Sequence, residues 1–124
     1  MSKKYTCICI DDDQIFVEII KTFIKQIDWL ELIGAYSNPI EAVLAMDKQK
    51  PDILFLDLDM PNLTGYETLE AIDGALPKVI MISSHWEQEQ EMLEAGAAKY
   101  VKKPIRNAQQ LEQIVQEVVN QTAA

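Results

Sequence analysis

The chain has 124 residues, 48% of them hydrophobic, with a formal net charge of −9, which is enough apolar material for one core and too short for a second domain. With 20 Asp and Glu against 11 Lys and Arg, direct nucleic-acid binding by this chain is disfavoured, because neutralising phosphates needs clustered cations; the balance suits metal cations and basic partner surfaces. No apolar run approaches the roughly 20 residues of a membrane-spanning helix, and no signal-type segment follows Met1-Ser2-Lys3-Lys4, so the expectation is a cytoplasmic protein with one domain over residues 1–124.

Tyr5 to Ile10 has strand character, and Cys7 and Cys9 point to one face of it at period two. That pair supports neither a zinc site nor a disulfide framework, and buried reduced thiols are expected. Asp11-Asp12-Asp13 follows. Phe16, Ile19, Ile20, Phe23, Ile24 and Ile27 recur at helical spacing and predict a first helix. Leu30 to Tyr36 reads as a second strand, and Asn38 with Pro39 at the first helical position starts a second helix. Asp52 to Leu56 is a continuous apolar strand after its first residue, and it is closed by Asp57. Thr64-x-x-Glu67 has capping-box spacing for a third helix, which Gly74 and Pro77 end. After a fourth strand, Lys78 to Ile82, Ser84-x-x-Glu87 repeats that spacing for a fourth helix from about Trp86 to Ala95, with Gly96 just past its end. Ala98 to Val101 is the fifth strand, Lys102-Lys103-Pro104 follows it, and Leu111, Ile114, Val115, Val118 and Val119 mark the last helix. The small polar tail from Asn120 to Ala124 is expected to fray.

Five strands alternating with five helices imply an α/β fold, a three-layer doubly wound (βα)5 arrangement around a five-stranded parallel sheet. In such a sheet the carboxyl ends of the strands share one rim, where ligands bind. Four of those ends carry unusual residues: the three acids, Asp57, Ser83-Ser84, and Lys102-Lys103. Each has an ordinary reading, since Asp caps helices, Ser sits in turns and Lys is usually a solvated cation. Asp57 is harder to explain that way, because a carboxylate ending a buried strand is costly unless paired or metal-bound. A carboxylate nucleophile, acids suited to Mg²⁺, a hydroxyl and an amine are together the parts for phosphoryl transfer to Asp57. The four glycines are scattered at 34, 65, 74 and 96 and form no phosphate-cradling loop.

The ordered set of Asp11-Asp12-Asp13, Phe55-Leu56-Asp57-Leu58-Asp59-Met60-Pro61, Thr64-Gly65, Ile82-Ser83-Ser84 and Tyr100-Val101-Lys102-Lys103-Pro104 resembles the receiver domain of bacterial two-component response regulators (CheY-like). The resemblance implies the flavodoxin-like strand order 2-1-3-4-5. It makes Asp57 the phosphoacceptor and gives the Mg²⁺ site to Asp11, Asp12, Asp57 and the backbone carbonyl of Asp59. It further makes Ser83 the switch hydroxyl, Tyr100 the switch aromatic that turns inward behind it, and Lys103 the phosphate-binding lysine. From the residues alone, 12/13 is as good an acidic pair as 11/12. The family alignment favours 11/12. Leu30-Glu31-Leu32-Ile33-Gly34-Ala35-Tyr36-Ser37-Asn38-Pro39 looks closest to receivers that precede LytTR-type DNA-binding domains.

The implied function is a signalling domain rather than an enzyme with turnover. A sensor histidine kinase, a phosphotransfer protein or a small phosphodonor supplies the phosphoryl group. The surface of the fourth helix, fifth strand and fifth helix then signals to an effector or partner, and a homodimer is among the assemblies the family allows. Glu87, Glu89, Glu91 and Glu94 on that surface call for a basic or strongly polar partner. Asp59 and His85 should flank the acyl phosphate and tune its lifetime. Two departures from the commonest pattern are Ser83 in place of Thr and Ile105 where an aromatic often follows Lys-Pro. The rivals are a haloacid-dehalogenase-type phosphatase, which also uses Asp-x-Asp but not with Pro61 following, and a receiver-like interaction module that is never phosphorylated.

Overall fold

The computed structural model describes residues 4–58, 67 and 77–120. Five strands, β1 (Tyr5–Ile10), β2 (Leu30–Tyr36), β3 (Ile53–Asp57), β4 (Lys78–Ser83) and β5 (Lys99–Lys102), form one sheet in the order β2-β1-β3-β4-β5. All four pairings are parallel. Among the described residues the helices are α1 (Gln14–Lys25), α2 (Pro39–Gln49), α3 (Glu89–Glu94) and α4 (Ala108–Asn120). The helix expected between β3 and β4 lies outside the described residues, apart from Glu67, which is helical.

Period-two alternation along the strands divides the interior into two cores. Cys7, Cys9, Ile53, Phe55, Ile80, Ile82 and Val101 face the buried stripes of α1 and α4. Ile8, Ile10, Leu54, Leu56, Val79, Met81 and Tyr100 point the other way, onto Met46 of α2 and Met92 of α3. A sheet covered on both faces needs apolar residues at every position of its central strands, and β3 is buried throughout. Both cysteines are free thiols buried in this core. Burial first, and the Glu31 charge second, push the Cys7 thiol up to about 12, and burial likewise raises Cys9.

The elements depart from the sequence expectations in instructive places. Asp52 stands just before β3, where its Oδ2 accepts from the Thr6 backbone N–H at 2.8 Å and from the Thr6 hydroxyl at 3.2 Å. Asp57 belongs to the strand, in register with Ile82 of β4. On α1, Val17 is buried whereas Ile19 is 40% exposed, because the stripe that meets the sheet runs through Phe16, Val17, Ile20 and Ile24 and leaves Ile19 on the opposite flank. The fourth predicted helix begins three residues late, at Glu89, and its cap residue Gln88 makes no side-chain cap bond. Ser84 therefore opens a bend rather than a helix. Gly96 ends α3 as expected: it has φ +118, its N–H donates to the Leu93 carbonyl at 3.2 Å, and the Ala97 N–H donates to Met92 at 3.0 Å.

Candidate functional site

Backbone hydrogen bonds tie the carboxyl ends of the strands into one rim. The Asp11 N–H donates to the Tyr36 carbonyl at 3.0 Å, Leu58 to Ile82 at 3.0 Å, and Lys103 to Ser83 at 2.8 Å. The residues that carry chemistry stand at the points these bonds fix.

Asp11, Asp12 and Asp57 each present a carboxylate oxygen, and these three oxygens lie within 4.8 Å of one another. Asp11 is 1% and Asp57 3% exposed, while Asp12 is open to solvent. Asp13 is used differently. Its Oδ1 accepts the backbone N–H of Ile15 at 3.0 Å and of Phe16 at 3.3 Å, making it the N-cap of α1. Its own N–H donates to Asp11 Oδ1 at 2.8 Å, which fixes the orientation of the Asp11 carboxylate.

Lys103 Nζ sits 3.0 Å from Asp11 Oδ2 and 3.8 Å from Asp57 Oδ1. Burial of the ammonium works against its charge. The close contact with the Asp11 carboxylate and the charges of Asp57, Asp11 and Asp13 outweigh that and hold Lys103 above its ordinary value. Asp11 Oδ2 receives no well-directed hydrogen bond from any described residue, so its contact with the ammonium is an ion pair with poor directionality. A buried carboxylate oxygen with a vacant hydrogen-bonding direction, beside two further carboxylates, is a donor set that fits a hard divalent cation.

Ser83 is fully buried, and its Oγ accepts the His85 N–H at 3.1 Å. The Tyr100 hydroxyl donates to the His85 carbonyl. One peptide segment thus links the expected switch hydroxyl to the expected switch aromatic. The Tyr100 ring is already buried, whereas the sequence reading has it turn inward only on phosphorylation. The His85 side chain is exposed, and Asp59, expected to lend its carbonyl and to tune the site, lies outside the described residues. Trp86 is half-exposed, with its ring centroid 6.1 Å from that of Tyr100 and the Lys102 ammonium 5.7 Å over its face.

Sequence reasoning found the acids, the serine and the lysine because topology alone brings strand ends together. It missed Phe16, whose ring centroid lies 4.4 Å from Lys103 Nζ. In the sequence Phe16 looks like one more apolar residue of a helical stripe, and nothing local marks its contact with a lysine 87 positions later.

Comparison with known proteins agrees with this picture. The family model described as the response regulator receiver domain matches residues 7–116. An uncharacterized response regulatory protein of Shewanella oneidensis is 34% identical over 101 residues, which are 81% of this chain and 43% of that protein. The probable C4-dicarboxylate response regulator DctR of Priestia megaterium is 35% identical over 111 residues, 86% of this chain and 49% of that protein. The chain spans less than half the length of these two curated relatives. Among solved structures, the response regulator domain of Thermotoga maritima CheB superposes with a TM-score of 0.81 at 27% identity, covering 94% of this chain and 98% of that one. A family match that runs from β1 into the last helix reflects shared descent rather than a chance gathering of acids at a sheet edge, and the chain belongs to the response regulator receiver domains of two-component signalling.

Proposed function

We propose that this chain, as a single receiver domain, accepts a phosphoryl group on Asp57 and signals through the surface of α3, β5 and α4. The observation that carries the reading is the Lys103 ammonium between Asp11 and Asp57, at 3.0 and 3.8 Å, beside the three clustered carboxylates. An Asp57 carboxylate oxygen attacks the phosphorus of a phosphohistidine on a partner kinase or phosphotransfer protein, or of a small acyl phosphate. A new P–O bond forms, and the electron pair of the breaking bond leaves with the donor's imidazole, which takes up a proton, or with the donor's carboxylate. Mg²⁺ bound by Asp11, Asp12 and Asp57, with the Asp59 carbonyl, would offset negative charge on the transferring group. Lys103 balances the remainder from its paired position.

The Ser83 hydroxyl then donates to an oxygen of the phosphoryl group. Its geometry with the His85 N–H changes, and the Tyr100 hydroxyl on the His85 carbonyl follows. Because Tyr100 already lies inward, the surface changes by a shift of this bond and of the Trp86 contact rather than by entry of a ring. Hydrolysis resets the site, and Asp59 and His85 tune its rate; unchanged dephosphorylation in both Asp59→Asn and His85→Ala would remove that assignment. The effector or partner that reads the surface, in the cytoplasm, is basic or strongly polar.

The direct test is incubation with Mg²⁺ and acetyl phosphate followed by mass measurement. One added phosphoryl group in the wild type and none in Asp57→Asn is expected. An unmodified wild type, or a persistent adduct in the variant, overturns the assignment, and catalytic turnover of a generic phosphate ester would favour a phosphatase instead.

A further inference from the structure

The Lys103 ammonium has a third neighbour that charge balance does not require. The Asp11 and Asp57 carboxylates stand at 3.0 and 3.8 Å. The ammonium also lies over the face of Phe16, 4.4 Å from its ring centroid, and that side chain is buried in the core shared by α1 and α4. The ring is held from behind as well. Phe16 is the third residue of α1, and Asp13 fixes its backbone by accepting its N–H at 3.3 Å.

A lysine carries its charge on a flexible stem, and here the two carboxylates are unequal. Both carboxylates attract the ammonium, Asp11 from 3.0 Å and Asp57 from 3.8 Å, so charge alone leaves its resting place between them loosely set. The negative face of an aromatic ring attracts a cation. It takes up no proton and offers no lone pair to a metal. An ammonium resting on it keeps that attraction while sliding between two oxygens. A leucine would fill comparable space with no such field.

We propose that Phe16 is a positioning residue for phosphoryl transfer, its ring face stationing the Lys103 ammonium between Asp11 and Asp57. The proposal rests on Asp57 being the acceptor. It also accounts for the third acid of the cluster, since Asp13, through the cap, sets the place from which the ring projects.

The test replaces Phe16 with Leu, with Tyr, and with phenylalanines carrying one, two or three ring fluorines, which progressively drain the negative face while altering shape little. Two quantities are read. The first is the ring-current displacement of the Lys103 ε-methylene proton signals in Mg²⁺-free protein, which reports the ring over the lysine without any chemistry. The second is the rate of Asp57 phosphorylation by acetyl phosphate with Mg²⁺. Displaced signals are expected in the wild type and in Phe16→Tyr, and undisplaced ones in Phe16→Leu. The rate should fall about fivefold in Phe16→Leu, stepwise along the fluorinated series, and recover in Phe16→Tyr. The fluorinated proteins, whose fold is checked by thermal melting, keep the test decisive if Phe16→Leu is unstable. Undisplaced signals in the wild type, or a rate indifferent to fluorination, overturn the proposal. A wild type that takes up no phosphoryl group overturns the acceptor assignment together with it, whereas a normally phosphorylated wild type with an indifferent Phe16 overturns this inference alone.

Discussion

Three carboxylates whose oxygens gather within 4.8 Å oppose one another, and the single ammonium of Lys103 compensates only part of that charge. Removing one acid should therefore stabilise the metal-free protein. Asp12 is the one to change, because it is exposed and its loss opens no cavity. Asp12→Asn should gain about 1 kcal/mol at low ionic strength, less in high salt. Mg²⁺ should raise the thermal midpoint of the wild type more than that of the variant, since a ligand stabilises by its affinity for the folded state. Melting curves with and without Mg²⁺ check both statements. Lys103 makes the opposite case. Burial works against its charge, but the close Asp11 contact and the charges of Asp57, Asp11 and Asp13 prevail and raise its pKa above the ordinary 10.5. A group whose pKa is raised by folding stabilises fully below the unfolded value and loses that contribution as pH climbs through the folded one. Lys103→Met should therefore cost about 2 kcal/mol at neutral pH in Mg²⁺-free protein, by leaving two buried carboxylates poorly compensated. The gap between wild type and variant should close only above about pH 10.5, in urea titrations across the alkaline range.

Individual elements show where sequence patterns determine structure and where they do not. The end of α3 is written locally. At Gly96 a Cβ would meet nothing within 4 Å, yet φ is +118, so Gly96→Ala should cost about 1 kcal/mol through backbone conformation alone. A lowered urea midpoint with an unchanged slope would show this. The start of α3 is not local. Ser84 and Glu87 have capping-box spacing, but the Ser83 hydroxyl engages the His85 N–H and the Trp86 ring lies against Tyr100, so His85 and Trp86 are committed to β4 and β5 before a helix can begin. The same distinction covers the rest of the chain. Strand positions and the convergence of Asp11, Asp57, Ser83 and Lys103 on one rim were legible, because apolar runs place the strands and a parallel sheet collects their carboxyl ends, whereas the strand order came from the family resemblance. The choice between Asp12 and Asp13 was not legible from the residues themselves, because both follow the same strand; the family resemblance favoured Asp12, and the three-dimensional path shows Asp13 capping α1 while Asp12 joins Asp11 and Asp57. Ile19 misled because helical period identifies a stripe without saying which flank meets the sheet.

At the scale of the whole molecule, the rim and the surface proposed to carry its signal are joined by a short chain of contacts. Ser83 Oγ accepts from the His85 N–H at 3.1 Å, the His85 carbonyl accepts from the Tyr100 hydroxyl, and the Tyr100 ring lies 6.1 Å from that of the half-exposed Trp86. The chain's other tryptophan serves as an internal control. Trp29 sits at the amino end of β2, where its Nε1 donates to Glu112 Oε2 at 2.8 Å and its ring meets Tyr5 edge-on at 6.0 Å. That is the far edge of the sheet from Asp57. If phosphorylation draws on the Ser83 hydroxyl, the disturbance should reach Trp86 through two hydrogen bonds and one ring contact, and should leave Trp29 unchanged, because central strands buried on both faces respond as a rigid block. A protein with Trp29→Phe, reporting only Trp86, should change its fluorescence on addition of acetyl phosphate and Mg²⁺. A protein with Trp86→Phe, reporting only Trp29, should stay constant while becoming phosphorylated to the same extent. Equal changes in both would mean that the whole sheet responds, and silence from Trp86 in a fully phosphorylated sample would mean that the His85 peptide does not carry the signal.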